Sequence, residues 1–260
     1  MHRADFPIVE FDPDRDALIT AHAPPPVGDV PRRAVLCFFH EVLESLRQAG
    51  QLVEVGALRS EIGRHPIWRL ETRAGAVAIL HPGVGAPLAA GLLEELLSLG
   101  PNVVVACGGA GVLNRDIARG HLVVPTAAVR DEGTSYHYLP PAREVEQHPR
   151  AVAAIRDVLD RHSAPYLLGK TWTTDALYRE TRTRIARRRA EGCLTVEMEA
   201  AAFFAVGQFR DVIVGQLLYG GDDVVGDQWD MRDWGDGDAS TREKLLWLGC
   251  EAALTVSVDR

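Results

Sequence analysis

Val103-Val-Val-Ala-Cys-Gly-Gly-Ala-Gly-Val112 decides how this chain is read. Three valines and an alanine in a row fit a strand buried on both faces, because β-branched side chains pack well on a pleated surface and no position is reserved for water. Gly108, Gly109 and Gly111 behind them predict a tight turn at the strand's carboxyl end, where bare backbone can approach an anion. A turn that needs small residues only for packing is the plainer alternative. A dinucleotide fingerprint would require GxGxxG opening a long helix, with an acid about 20 positions on. The spacing here differs, and Leu113-Asn-Arg-Asp116 starts a helix poorly, which argues against a Rossmann cofactor site.

Working outward, Ala34–Phe39 is a second buried run that flows into a helix over His40–Gln48, with Val42, Leu43 and Leu46 at helical spacing. Val77–His81 reads as a strand and Leu88–Leu99 as a helix stopped by Gly100-Pro101. Downstream come a strand at Val123–Val129 and a helix over Glu144–His162. A helix from Thr195 through Phe204 follows, then a strand at Val212–Tyr219, an acidic loop and a last helix over Lys244–Leu254. Strands alternating with helices predict an α/β architecture around a largely parallel sheet, with ligand sites at strand carboxyl ends. Residues 1–33, rich in Pro, Asp and His, read as an irregular lead-in, and 34–260 as one domain.

Of 260 residues 47% are hydrophobic, enough to bury a large core, and the net charge of -8 argues against a nucleic-acid backbone as partner. Neither a secretory leader nor an apolar run of membrane-spanning length is visible, so a cytoplasmic protein without a membrane partner is expected. Cys37, Cys107, Cys193 and Cys250 show no paired spacing and read as buried free thiols. The histidines show no metal-ligand spacing, so no metal is expected. Arg182–Arg189 reads as a solvated basic helix face.

Two acidic clusters stand out. Glu197-Met198-Glu199 precedes an apolar helix; these acids either complement the helix dipole or bind sugar hydroxyls. Asp222-Asp223 follows a strand. One carboxyl beside another can hold a proton near neutral pH and pass it to a leaving group. The alternative is a solvated acidic loop, since Asp227, Asp230, Asp233, Asp236 and Asp238 follow.

Taken together, Pro82-Gly-Val-Gly-Ala-Pro87, Cys107-Gly-Gly-Ala-Gly-Val112, Ala127-Ala-Val-Arg-Asp-Glu-Gly-Thr134 and Val196-Glu-Met-Glu-Ala-Ala-Ala202 resemble the nucleoside phosphorylase and uridine phosphorylase family, in order and approximate spacing. The resemblance implies a single-domain α/β sandwich around a twisted mixed, partly closed sheet. It also implies cleavage of a nucleoside's N-glycosidic bond through an oxocarbenium-like sugar. By resemblance Glu199 binds the ribose hydroxyls, Met198 packs on the sugar, Glu197 shapes the pocket, and Gly108 and Gly109 line it. Asp222 stabilises the departing base. Thr171-Trp-Thr-Thr-Asp-Ala-Leu-Tyr178 resembles the base-site loop, which makes Trp172, Thr173 and Tyr178 candidate substrate contacts, with Trp172 stacking on the base. The pyrimidine signature is not intact at Leu177-Tyr-Arg-Glu-Thr-Arg182, which favours a purine-type base.

The family's phosphate-binding pattern is also broken. Ala106 and Gly109 stand where an Arg and a hydroxyl are expected, and Gly28-Asp-Val-Pro-Arg32 precedes the first strand instead of following it. Inorganic phosphate as co-substrate would need a rebuilt site, with Arg32, Gly85, His40 and Arg130 as candidates. Related nucleosidases place a glutamate after the first strand to activate water, and Glu41 sits there. Phosphorolysis, hydrolysis at Glu41 and non-catalytic nucleoside binding are therefore three competing expectations, in that order. The resemblance implies no cofactor. It also implies a homo-oligomer (dimer, trimer or hexamer) in which a neighbour's N-terminal His completes the sugar site; His22 is available. Trp229, Trp234 and Trp247 are candidates for a lid or a subunit interface.

Overall fold

The computed structural model describes residues 3–232 and 239–257. Of the residues singled out above, Asp233, Trp234, Asp236 and Asp238 lie outside that range. Among the described residues, ten strands join in one mixed sheet. Its open arm is β2 (Leu52–Ser60), β3 (Gly63–Thr72), β4 (Gly75–Leu80) and β1 (Arg33–Cys37), and β1 lies parallel to both β4 and β5 (Val103–Val112). Beyond β5 the sheet closes on itself. β10 (Ile213–Asp223), β6 (Leu122–Asp131), β8 (Tyr166–Thr174) and β9 (Cys193–Glu197) form a ring that begins and ends on β5, and short β7 (Glu144–Glu146) is added to β6.

The strand with the glycines is the hinge of this closure. Val103–Cys107 pairs with β1, whereas Gly111 and Val112 pair antiparallel with β9, so β5 exchanges one neighbour for another as it passes Gly108 to Gly111. The expected turn is therefore a strand that bends, which is where glycine is used inside a sheet. Side chains here would be tight against close neighbours: a Cβ on Gly108 would stand 3.0 Å from the Phe38 ring, one on Gly109 3.0 Å from the Tyr219 ring, and one on Gly111 3.0 Å from Val196.

Helices cover both faces, and alternation along β1 assigns residues to each. Ala34 and Leu36 pack with α2 (Ala86–Ser98) and α5 (Ala200–Phe209). Val35 and Cys37 pack with α1 (His40–Gln48), α3 (Pro149–Arg161) and α6 (Ala239–Thr255). Residues 200–207 of α5 are all buried, as expected of a helix that is apolar all round. The four cysteines are free and buried.

Several expected boundaries shift. The helix expected from Glu144 starts at Pro149, because Glu144–Glu146 pairs with β6 and His148 caps the helix by accepting the Arg150 N–H. The strand expected to end at Tyr219 runs on to Asp223, so Asp222 belongs to a strand end rather than a loop. Residues 182–190 form α4 (Arg182–Ala190), but the expected solvated face is corrected at Arg188, which is buried and paired with Asp131 and Glu191. Residues 3–32 hold one short 3-10 turn, Pro7–Val9. Among the described residues no helix is long and apolar enough to cross a membrane.

Candidate active site

Glu197 closes β9, and its carboxylate covers the start of α5. One oxygen accepts the backbone N–H groups of Glu199 (2.7 Å) and Ala200 (2.6 Å); the other accepts the Thr173 hydroxyl at 2.7 Å. Thr173 in turn accepts the Ala201 N–H. Three orphan donors of the helix are satisfied in this way, so Glu197 holds the segment together from beneath. Glu199, 5% exposed, turns to the opposite loop and accepts the N–H of Gly85 at 2.5 Å. Gly85 carries a φ of +93° at the start of α2, a conformation that suits glycine. Burial, and then the charge of Glu197, push the Glu199 carboxyl up to about 8; burial raises Glu197 as well, against its several donors. The two share a proton near neutrality. Because Glu197 receives the N–H groups, Glu199 is the better home for it. Met198 lies between them, half-buried.

At the end of β10 the two aspartates part company. Asp222 accepts the indole N–H of Trp229 at 2.6 Å and lies beside Gly111, whose Cβ would stand 3.5 Å from its carboxylate. Asp223 turns away to Arg232 (3.2 Å) and Arg115 (3.6 Å) and accepts the Val225 N–H. The two neighbours thus have separate partners rather than each other, at a strand end whose register shifts between Gly220 and Asp223. The acid that feels Asp222 is Glu180, just before α4, pushed up to about 7 by burial and then by the Asp222 charge.

At the carboxyl end of β1, Glu41 sits in the first turn of α1 and is paired with Arg242 of α6. Partial burial works to raise its carboxyl, but the hydrogen bond and charge of Arg242 outweigh that and hold it below the ordinary glutamate range. Arg242 also donates to the Tyr219 hydroxyl at 3.1 Å, and the Tyr219 ring is the one that lies against Gly109.

The residues considered for a phosphate site do not assemble. Arg32 is exposed at the amino end of β1, opposite the end that leads to Glu41. Arg130 spends its guanidinium on Ser135 and the carbonyls of Leu139 and Pro140. The Gly85 N–H is already held by Glu199. His40 instead lies near His81, their rings 6.5 Å apart.

Trp172 also departs from its expected place. It is fully buried, its indole N–H donates to Asp131 at 3.0 Å, and Arg188 lies over its ring. Thr171 and Thr173 on either side reach Glu197, so Trp172 faces the other side of β8, away from the carboxylate pair. Stacking of Trp172 on a base is not what this geometry offers. Tyr178 is 92% exposed on the turn after β8. Among the tryptophans, Trp229 is exposed and reaches Asp222, whereas Trp247 donates to Glu243 within its own helix.

Four residues escaped the sequence reading: Glu180, Glu132, Arg242 and Tyr219. Glu132 is buried, bonded to Ser135, and adds to the charge that raises Glu197. It stood inside a quoted motif, directly after Arg130 and Asp131, and a third charged residue in a row at the end of β6 was the available signal. Arg242 had none, being 201 positions from its partner. Among the described residues no group of three His, Cys, Asp or Glu side chains is placed to hold a metal.

The chain is thus an α/β protein whose sheet closes on itself through a glycine-bearing strand, with carboxylates at several strand ends. The family model described as the phosphorylase superfamily matches residues 32–246, and the chain belongs to that family. It is 30% identical over 163 residues to a uridine phosphorylase of Treponema pallidum (strain Nichols), covering 58% of this chain and 62% of that protein. It is 30% identical over 157 residues to a guanosine phosphorylase of Halorubrum lacusprofundi, covering 58% and 64%. The matched part is thus less than two thirds of each of these curated relatives. An AMP nucleosidase structure from Bacteroides thetaiotaomicron VPI-5482 shares the fold, with a TM-score of 0.68 and 24% identity over 86% of this chain and 87% of that one.

Proposed function

We propose that this protein cleaves the N-glycosidic bond of a purine-type nucleoside and passes the sugar to water. The observation that carries the reading is the pairing of two unlike carboxylate sites: the buried Glu197–Glu199 pair, which offers acceptors and a proton to sugar hydroxyls, and Glu41, kept anionic by Arg242. As the glycosidic bond breaks, its electron pair goes to the base nitrogen, and the base takes up the proton carried by Glu180 while Asp222 orients it. Positive charge builds on the sugar, where Glu199 and Met198 hold the ring. Water forms the new C–O bond at the anomeric carbon and yields its proton to Glu41. Glu180, pushed up to about 7 by burial and by the charge of Asp222, gives the base end a proton-bearing carboxyl, which suits the ring nitrogens of a purine. The guanosine phosphorylase among the relatives supports a purine, and the uridine phosphorylase is the counterweight.

Phosphorolysis to ribose 1-phosphate is the second reading, favoured because both curated relatives named above are phosphorylases. Against it stands the dispersal of Arg32, Arg130 and Gly85. We further propose a homo-oligomer, on the family resemblance alone. The test is release of free base from inosine, guanosine and uridine, with and without inorganic phosphate, by wild type and Asp222→Asn. Purine release that Asp222→Asn loses supports the assignment; no release from any nucleoside, or a fully active Asp222→Asn, overturns it.

A further inference from the structure

The chain carries a net charge of -8, yet one stretch reverses that sign. From Arg179 to Arg189 stand six arginines and a single acid, Glu180. Two of the six are engaged: Arg188 is buried between Asp131 and Glu191, and Arg182 donates to the Asp227 carbonyl. Arg184 reaches Asp131 at 3.3 Å with one end of its guanidinium. Arg179 and Arg187 are exposed, and their guanidinium groups have no partner among the described residues.

Arg179, Arg184 and Arg187 line one cavity of about 470 Å³, together with Ala176, Thr181 and Thr183. Among the described residues no carboxylate lines it. Arg184 and Arg187 stand three apart on α4, a like-charge spacing that costs a helix stability, so the fold gains nothing by gathering them. What such a cluster suits is an anion. A guanidinium presents a planar fork that matches phosphate oxygens, and a threonine hydroxyl adds a further donor. Thr181 accepts the Arg184 N–H at 3.4 Å, which leaves its own O–H to donate. Arg184 is steadied by Asp131, which also holds Arg188 and the Trp172 indole N–H. The volume lies in the range of small-molecule sites and leaves room for an organic body beside the anionic group.

We propose that this cavity binds a phosphorylated small molecule, with the phosphate held by Arg179, Arg184 and Arg187 and the organic body against Ala176 and the arginine stems. The site is separate from the cleavage chemistry: Glu41, Glu197, Glu199 and Asp222 are all absent from its lining. A nucleic-acid backbone is the poorer match, because it draws its affinity from many spaced cations and this chain as a whole is acidic.

Ribose 5-phosphate is the probe, with ribose and inorganic phosphate as controls, since none of the three holds a bond to a base. Binding is followed by titration calorimetry on wild type, Arg179→Gln/Arg187→Gln and Arg189→Gln. Arg189 lies on the same helix outside the cavity and serves as the charge control. All three positions are exposed, so the variants should keep the wild-type Tm. Wild type is expected to bind ribose 5-phosphate more tightly than either control. The double variant should weaken that binding by roughly tenfold or more, the scale of lost charge-assisted contacts, whereas Arg189→Gln should leave it within about twofold. No binding to wild type, inorganic phosphate bound as tightly, an unweakened double variant, or equal weakening by Arg189→Gln overturns the assignment. A fluorescein-labelled DNA oligonucleotide held more tightly than ribose 5-phosphate, and released by the double variant, also overturns it, since the arginines would then track a polymer. Turnover plays no part in these readouts, so the site and the proposed function can fail independently.

Discussion

Glu199 and Glu41 are the same side chain in opposite circumstances. Glu199 is buried with another carboxylate for company and one backbone N–H as donor, and it is driven toward its protonated form. Glu41 lies at the surface end of a helix with a guanidinium beside it and stays charged. Burial without a cation and exposure with one push a carboxyl in opposite directions. The difference separates a group suited to exchanging hydrogen bonds with sugar hydroxyls from one suited to accepting a proton from water. Each assignment can be broken separately.

The largest effect is expected at the base end. Asp222→Asn should lower kcat by about 10²-fold while circular dichroism and Tm stay near wild type, because it orients the departing base and misplacing a reacting group costs on that order. Retained kcat would overturn the assignment of the base end to Asp222, and the proposed function with it. Glu199→Gln should lower kcat/KM for inosine by roughly tenfold or more. The loss should shrink for an analogue lacking the ribose 2′ and 3′ hydroxyls, since it removes a transition-state contact to those groups. An equal loss for both substrates would take Glu199 out of the sugar site.

The comparison also has a signature in stability. Folded, Glu199 holds its proton to about pH 8, whereas unfolded it loses it near its ordinary 4.5. Between those values the folded state binds more protons, so the stabilisation is complete below about 4.5 and is lost as pH rises through 8. Urea midpoints should therefore fall from pH 5 to pH 8.5, and Glu199→Gln should flatten that slope. A slope unchanged in Glu199→Gln would place the excess proton elsewhere, with Glu180 the next residue to test. The smallest effect is Glu197→Ala, expected to cost about 1–3 kcal/mol by stripping the cap from α5 and leaving buried N–H groups without an acceptor. A Tm equal to wild type would show that water replaces the carboxylate there.

How much of this was legible from residues follows from the range of each interaction. The helix over His40–Gln48 and the placement of Glu41 at its start were read from a local pattern, and the structure keeps those bounds. The Glu197-Met198-Glu199 segment announced itself by composition, although which glutamate caps the helix and which faces Gly85 depends on strand alternation that residue types do not display. The glycine stretch read as a turn because glycine weakens strands. Only the closing of the ring, in which β5 meets β9 after β1, explains why it stays extended. Trp172 went to the wrong face because its neighbours Thr171 and Thr173 were not read with period two. The Asp222-Asp223 pair parts at an irregularity in the register of β10, which residue types do not display. Arg242 was beyond reach, since its contacts to Glu41 and Tyr219 are purely tertiary.

The most direct test of the central claim follows the oxygen that enters the sugar. Wild-type enzyme is given inosine or guanosine in ¹⁸O-labelled water, with and without inorganic phosphate, and the sugar product is analysed by mass spectrometry. The account predicts free ribose carrying one label at the anomeric position, formed at the same rate in both conditions. Unlabelled ribose 1-phosphate, formed only when phosphate is present, would contradict it.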